Sequence, residues 1–146
     1  MRGILFRGKS IDTGGWIEGF YNYRDYMYNG EDVRRHYILP PYEQDSIVVD
    51  PGTVGQYTGL KDKNGKKIFG GDVIKENDVI HNGELQYEGL SFVVAYINGC
   101  WFAIRKNRSG ERKAMFLGGC CDVSEVIGNI HDNPELMGGA ENVSHP

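Results

Sequence analysis

The dipeptide Asn64-Gly65 constrains this chain more than any other feature. It lies between Gln56-Tyr57-Thr58-Gly59-Leu60 and Ile68-Phe69, two runs suited to strands. Asn and Gly accept the positive φ that tight hairpin turns demand at both central positions, so Gln56 to Val73 is predicted to form a β-hairpin. The signal recurs at Asn82-Gly83, between Val79-Ile80 and Leu85-Gln86-Tyr87. It recurs again at Asn98-Gly99, between Phe92-Val93-Val94-Ala95-Tyr96-Ile97 and Cys100-Trp101-Phe102-Ala103-Ile104. Both arms of that last hairpin are almost wholly apolar, which predicts that both its faces are covered. Val123 to Ile130 reads as a final strand. Asp132-Asn133-Pro134-Glu135-Leu136 then opens a single helical turn with proline at its first position. Short strands separated by hairpin turns, five or six over about eighty residues, predict a small barrel, because closure removes exposed sheet edges.

The upstream third is patterned differently. Ile4-Leu5-Phe6-Arg7 reads as an opening strand closed by Gly8 and Lys9-Ser10. Trp16, Phe20, Tyr21, Tyr23, Tyr26 and Tyr28 then crowd one stretch, with the period of two of a strand. These rings read as core and cross-strand pairs rather than as a stacking platform for bases or sugars. Val33 to Leu39 is another strand, stopped by Pro40-Pro41, and Ser46-Ile47-Val48-Val49 follows. Asp50-Pro51-Gly52 is a strong turn, and a boundary belongs beside it. The expected organisation is a smaller, β-rich, aromatic N-terminal subdomain over residues 1–54, a barrel over 55–137, and a fraying tail over 138–146. The 21 glycines and the 12 % aromatic content suit this mainly β class, since glycine serves turns and rings suit pleated surfaces.

The block from Gln56 through Lys75 resembles the signature block of the YopX family, and Val126-Ile127-Gly128-Asn129-Ile130-His131-Asp132-Asn133-Pro134-Glu135-Leu136 is similar to that family's closing block. Ile4-Leu5-Phe6-Arg7 is similar to its opening strand, although Gly8-Lys9 replaces the aromatic residue usual there. The resemblance implies a bacteriophage or prophage protein with an SH3-like C-terminal barrel and a smaller N-terminal region. It implies no catalytic residue or ligand. Gly59, Gly65, Gly71 and Gly128 read as backbone geometry, and Asp72 as a turn-capping carboxylate.

Chemistry is sparse. Cys100, Cys120, Cys121 and His81 lack the Cys-x-x-Cys spacing of a zinc site, and free thiols are expected. Cys121, His131 and Asp132 could be written as a catalytic set, but no nucleophile-elbow pattern surrounds Cys121. His36, His81, His131 and His145 are scattered, and Gly65-Lys66-Lys67 lacks the other residues of a phosphate loop. No enzyme, metal or cofactor is therefore expected. No run approaches the ~20 apolar residues of a membrane helix. The N-terminal apolar core is too short for a signal peptide, so no membrane association and a cytoplasmic place in a bacterial cell are expected. The net charge of −4 and pI of about 5.5 argue against a generally basic nucleic-acid binder. Nine of the ten basic residues after position 54 nonetheless fall in two loops. Lys61, Lys63, Lys66 and Lys67 lie in one, and Arg105, Lys106, Arg108, Arg112 and Lys113 in the other. Were the fold to bring the loops together, they would offer an anion or nucleic-acid contact. Otherwise they keep strand ends solvated. The expected function is protein contact or self-assembly through the aromatic N-terminal region. The alternative is a nucleic-acid-binding accessory protein using the two basic loops.

Overall fold

The computed structural model describes residues 4–106 and 109–138, and its backbone is built from short strands, hairpin turns and single 3-10 turns, with no α-helix among the described residues. The chain divides into two compact units, Met1–Tyr57 and Thr58–Pro146. Among the described residues no helix is long and apolar enough to cross a membrane.

The first unit is an antiparallel sheet of β1 (Phe6–Lys9), β2 (Trp16–Tyr28), β3 (Glu31–Leu39), β4 (Ile47–Val49) and the start of β5 (Gly55–Lys61), in the order β4-β3-β2-β1-β5. The opening strand lies later than the sequence suggests, because Gly8 continues it instead of closing it. Gly8 pairs with Ile17, and a Cβ there would sit 3.0 Å from Val49 Cβ. Ile38 and Val49 are buried, and Asp50 caps the 3-10 turn Pro51–Thr53 by accepting the Gly52 N–H at 3.0 Å.

The second unit contains the end of β5, β6 (Lys67–Phe69), β7 (Asp72–Glu76), β8 (Val79–His81), β9 (Glu84–Tyr87), β10 (Ser91–Ile97), β11 (Cys100–Lys106), β12 (Arg112–Phe116) and β13 (Ser124–Asn129). Its main sheet runs β12-β11-β10-β7-β13, while β8 and β9 pair only with each other. The expected closed barrel is not found: β12 and β13 form the two edges and are not hydrogen-bonded to each other. Of the predicted strands, the exposed pair β8–β9 stands outside the main sheet, which reduces the number available for closure.

The apolar β10–β11 hairpin is covered on both sides, as its sequence predicts. Phe92, Val94 and Ala103 join Ile68, Ile74, Leu117, Cys120, Cys121 and Val126 on one face. Val93, Ala95 and Ile104 join Val73 and Ile130 on the other. The last strand bulges between Val126 and Gly128, and a Cβ on Gly128 would collide with the Asn133 side chain and with Leu136 Cδ1. The 3-10 turn Pro134–Gly138 is the predicted helical turn.

The turn at Asn64-Gly65 differs from its prediction. Asn82-Gly83 and Asn98-Gly99 have positive φ at both residues, but at 64–65 only Gly65 does. The cause is Asp62. Its buried carboxylate accepts the N–H groups of Asn64 and Lys66 through Oδ1 and of Val126 through Oδ2, each at 2.9 Å. A type I turn closed by Gly65 N–H on the Asp62 carbonyl wraps around that side chain. Burial pushes the Asp62 carboxyl up, yet the three amide donors and the nearby Lys66 charge outweigh it and hold its pKa below the ordinary value. Asp72 also caps a turn, accepting the Phe69 N–H at 2.7 Å.

Candidate interaction surface

Asn29 and Gly30, at φ 50° and 80°, make the two-residue turn that joins β2 to β3. Nine residue pairs follow without a break, from Tyr28 opposite Glu31 to Phe20 opposite Leu39. Pairing by β1 ends at Gly19 of β2, and β4 covers only His36–Ile38 of β3. From Arg24 and Arg35 to the tip, the strands therefore form a two-stranded ribbon with no third strand on either side among the described residues.

Directly opposed residues share a face, so the register sorts the side chains. One face carries Tyr21 with Ile38, Tyr23 with His36, Asp25 with Arg34, and Met27 with Asp32. Here Arg34 donates to both Asp25 carboxylate oxygens, at 2.7 and 3.1 Å, and lies 4.0 Å from the centre of the Tyr23 ring. The Arg34 bond holds the exposed Asp25 carboxyl below its usual range. Tyr21 hydrogen-bonds His36 Nδ1, and burial pushes its phenol up.

The other face carries Asn22 with Tyr37, Arg24 with Arg35, Tyr26 with Val33, and Tyr28 with Glu31. Arg24 lies over Tyr37 and Arg35 over Tyr26, each 5.1 Å from the ring centre. Neither guanidinium has a carboxylate partner among the described residues. Sequence reading missed this arrangement. The Asn29-Gly30 signal was available to find the hairpin, and Arg24 stands inside the aromatic run. Arg34 and Arg35, however, meet the rings only through cross-strand register.

The nine basic residues expected at a contact site lie in the second unit. Lys61, Lys63, Lys66 and Lys67 are exposed around the Asp62 turn, and Lys63 Nζ donates to Asn77 Oδ1 at 2.6 Å. Arg105 is half-buried and donates to the Ser91 carbonyl at 3.1 Å, while Lys113 Nζ lies 5.8 Å from the Phe92 ring centre. Arg105 faces Lys113 and Lys106 faces Arg112 across the β11–β12 ladder. Arg108 lies outside the described residues. The ends of β7 and β11 and the starts of β10, β12 and β13 share one end of the sheet, and the Lys63 N–H donates to the Ser124 carbonyl at 2.9 Å, so both basic clusters lie at that end. Carboxylates lie there too: Lys75 Nζ is 3.6 Å from Asp78 and 4.0 Å from Glu88.

Cys100 is exposed beside its hairpin turn, whereas Cys120 and Cys121 are buried. Burial raises the Cys120 thiol pKa, with the neighbouring Cys121 adding to it. Among the described residues no three His, Cys, Asp or Glu side chains group as metal ligands.

A family model described as YopX protein matches residues 5–138. No curated protein sequence matches the chain. Protein EF1440 from Enterococcus faecalis, known from a crystal structure, is similar at a TM-score of 0.51 and 23 % identity, over 93 % of this chain and 99 % of that one. At that identity the likeness concerns the fold alone.

Proposed function

The chain belongs to the YopX protein family, and from that premise we propose that it is a non-enzymatic interaction module whose contact surface is the β2–β3 ribbon. One observation carries the reading: the ribbon presents arginines stacked on tyrosines, with Arg24, Arg34, Arg35 and Tyr26 on the part that no third strand flanks among the described residues. Tyr and Arg are the residues enriched in interface cores, where planar groups supply contact area at low entropic cost. Stacking holds each guanidinium in place before a partner arrives, which lowers the ordering cost of association.

We read the second unit as an SH3-like arrangement left open between its edges. Its support is the strand path, in which β13 returns to pair with β7 after the meander of β10, β11 and β12, with 3-10 turns just before it. The proposed setting is a phage or prophage protein in the bacterial cytoplasm.

The test replaces residues 24–35 by Asn-Gly, which keeps Tyr23 opposite His36 and removes the projecting ribbon. Both chains are used as bait in host-cell lysate. Capture or self-association lost with the ribbon supports the reading, and captured proteins and self-association that are both unchanged overturn it. A second reading, nucleic-acid contact, is favoured by one fact: both basic loops occupy one end of the second unit's sheet.

A further inference from the structure

We infer that the ribbon's partner is a second copy of this chain, docked face to face through the surface that carries Arg24 and Arg35. Like charges directly opposed across a β-ladder are destabilising unless something neutralises them. On the opposite face the equivalent demand is met within the chain, where Arg34 is paired to Asp25. On this face it is not met: Arg24 and Arg35 are opposed, exposed and without a carboxylate among the described residues. Glu31 lies on the same face at the tip, equally exposed and without a cation among the described residues.

The spacing makes the surface complementary to itself. The Tyr26–Val33 pair lies midway between the Arg24–Arg35 pair and the Tyr28–Glu31 pair, two residues from each, or about 7 Å. A two-fold axis lying across the ribbon at the Tyr26–Val33 level reverses strand direction while keeping each strand over its own counterpart. Arg35 of one copy then faces Glu31 of the other, and Arg24 faces Tyr28. Tyr26 and Val33 meet their own equivalents at the centre. Every unpaired charge of the face receives an opposite charge or a ring, and each contact occurs twice, as an isologous dimer requires. A face about 20 Å long is small for a specific interface, so the dimer is weak and concentration-dependent.

This inference rests on the ribbon being the contact surface, and a charge swap separates it from that broader reading. Arg35→Glu and Glu31→Arg are each made in the full chain, at exposed positions, and sedimentation equilibrium is measured from about 10 to 500 µM, where weak interfaces associate. The wild type is expected to dimerise. Each variant alone should weaken the dimer at least about tenfold, because attraction becomes repulsion at both contacts. An equimolar mixture should recover association to within about threefold of wild type. In the mixed dimer the carboxylate introduced by Arg35→Glu meets the guanidinium introduced by Glu31→Arg, while the second contact stays native. That recovery also shows both variants to be folded. A wild type monomeric throughout, or variants that dimerise unchanged, overturns the inference. So does nucleic-acid binding lost in Arg35→Glu and strengthened in Glu31→Arg with no recovery on mixing. Ribbon-dependent capture of host proteins alongside any of those results removes the second copy as partner and leaves the ribbon as the contact surface.

Discussion

Asp62 shows how much one buried carboxylate organises. Its three amide partners belong to a turn and to a strand more than sixty positions away, so it ties the signature hairpin to β13. Asp62→Ala leaves the buried Val126 N–H unsatisfied and takes the acceptor from two turn amides, and should cost about 2–3 kcal/mol, read as a lowered urea midpoint. The pH dependence has a definite sign. A carboxyl whose folded pKa is depressed contributes stability that is present above its unfolded pKa, about 4, and lost as pH falls through the folded value. The wild-type midpoint should therefore fall on acidification below about pH 4, and Asp62→Asn should flatten that fall. An equally steep acid limb in Asp62→Asn would show that other carboxyls carry it.

Among the elements, the projecting ribbon depends most on its turn. Gly30 sits at φ 80°, so Gly30→Ala forces a side chain into the left-handed region at a cost of about 1–2 kcal/mol. Amide hydrogen exchange between residues 24 and 35 should accelerate while the second unit keeps its protection. Acceleration spread over both units would contradict the ribbon's independence. What the sequence revealed of these elements follows from the range of each cause. Local turn chemistry at Asn82-Gly83 and Asn98-Gly99, and the apolar run through β10 and β11, were legible because each depends on neighbours in the chain. The geometry at Asn64-Gly65 was not, because Val126 helps to set it. Nor were the stacked arginines, since Arg35 reaches Tyr26 only after register is established. Closure was over-read because β8 and β9, with strand-like sequences, bury nothing. Of the residues read as two basic loops, only Lys63 and Lys66 lie in a described turn, while Lys61, Lys67, Arg105, Lys106, Arg112 and Lys113 close or open strands, because pairing carries β5, β6, β11 and β12 further than local composition suggests.

For the whole molecule, a net charge of −4 opposes polyanions while one end of the second unit gathers cations. If those cations grip phosphates, duplex-DNA affinity should fall with salt at a log–log slope of about −0.9 per contact, and charge reversal at Lys106 and Arg112 should flatten it. No binding at low salt would end that reading. The same cations have a second consequence, before folding is complete. From Gly89 through Ile104 the chain carries no charge and no proline, and it holds Phe92-Val93-Val94-Ala95-Tyr96-Ile97 and Cys100-Trp101-Phe102-Ala103-Ile104. Its double coverage in the native sheet demands that composition, and it is also the composition from which intermolecular β-stacks grow. During synthesis such a segment waits for β12 and β13, which are made after it. Arg105 and Lys106 stand at its downstream border as gatekeepers, setting copies of the nascent chain apart by repulsion until the sheet has formed.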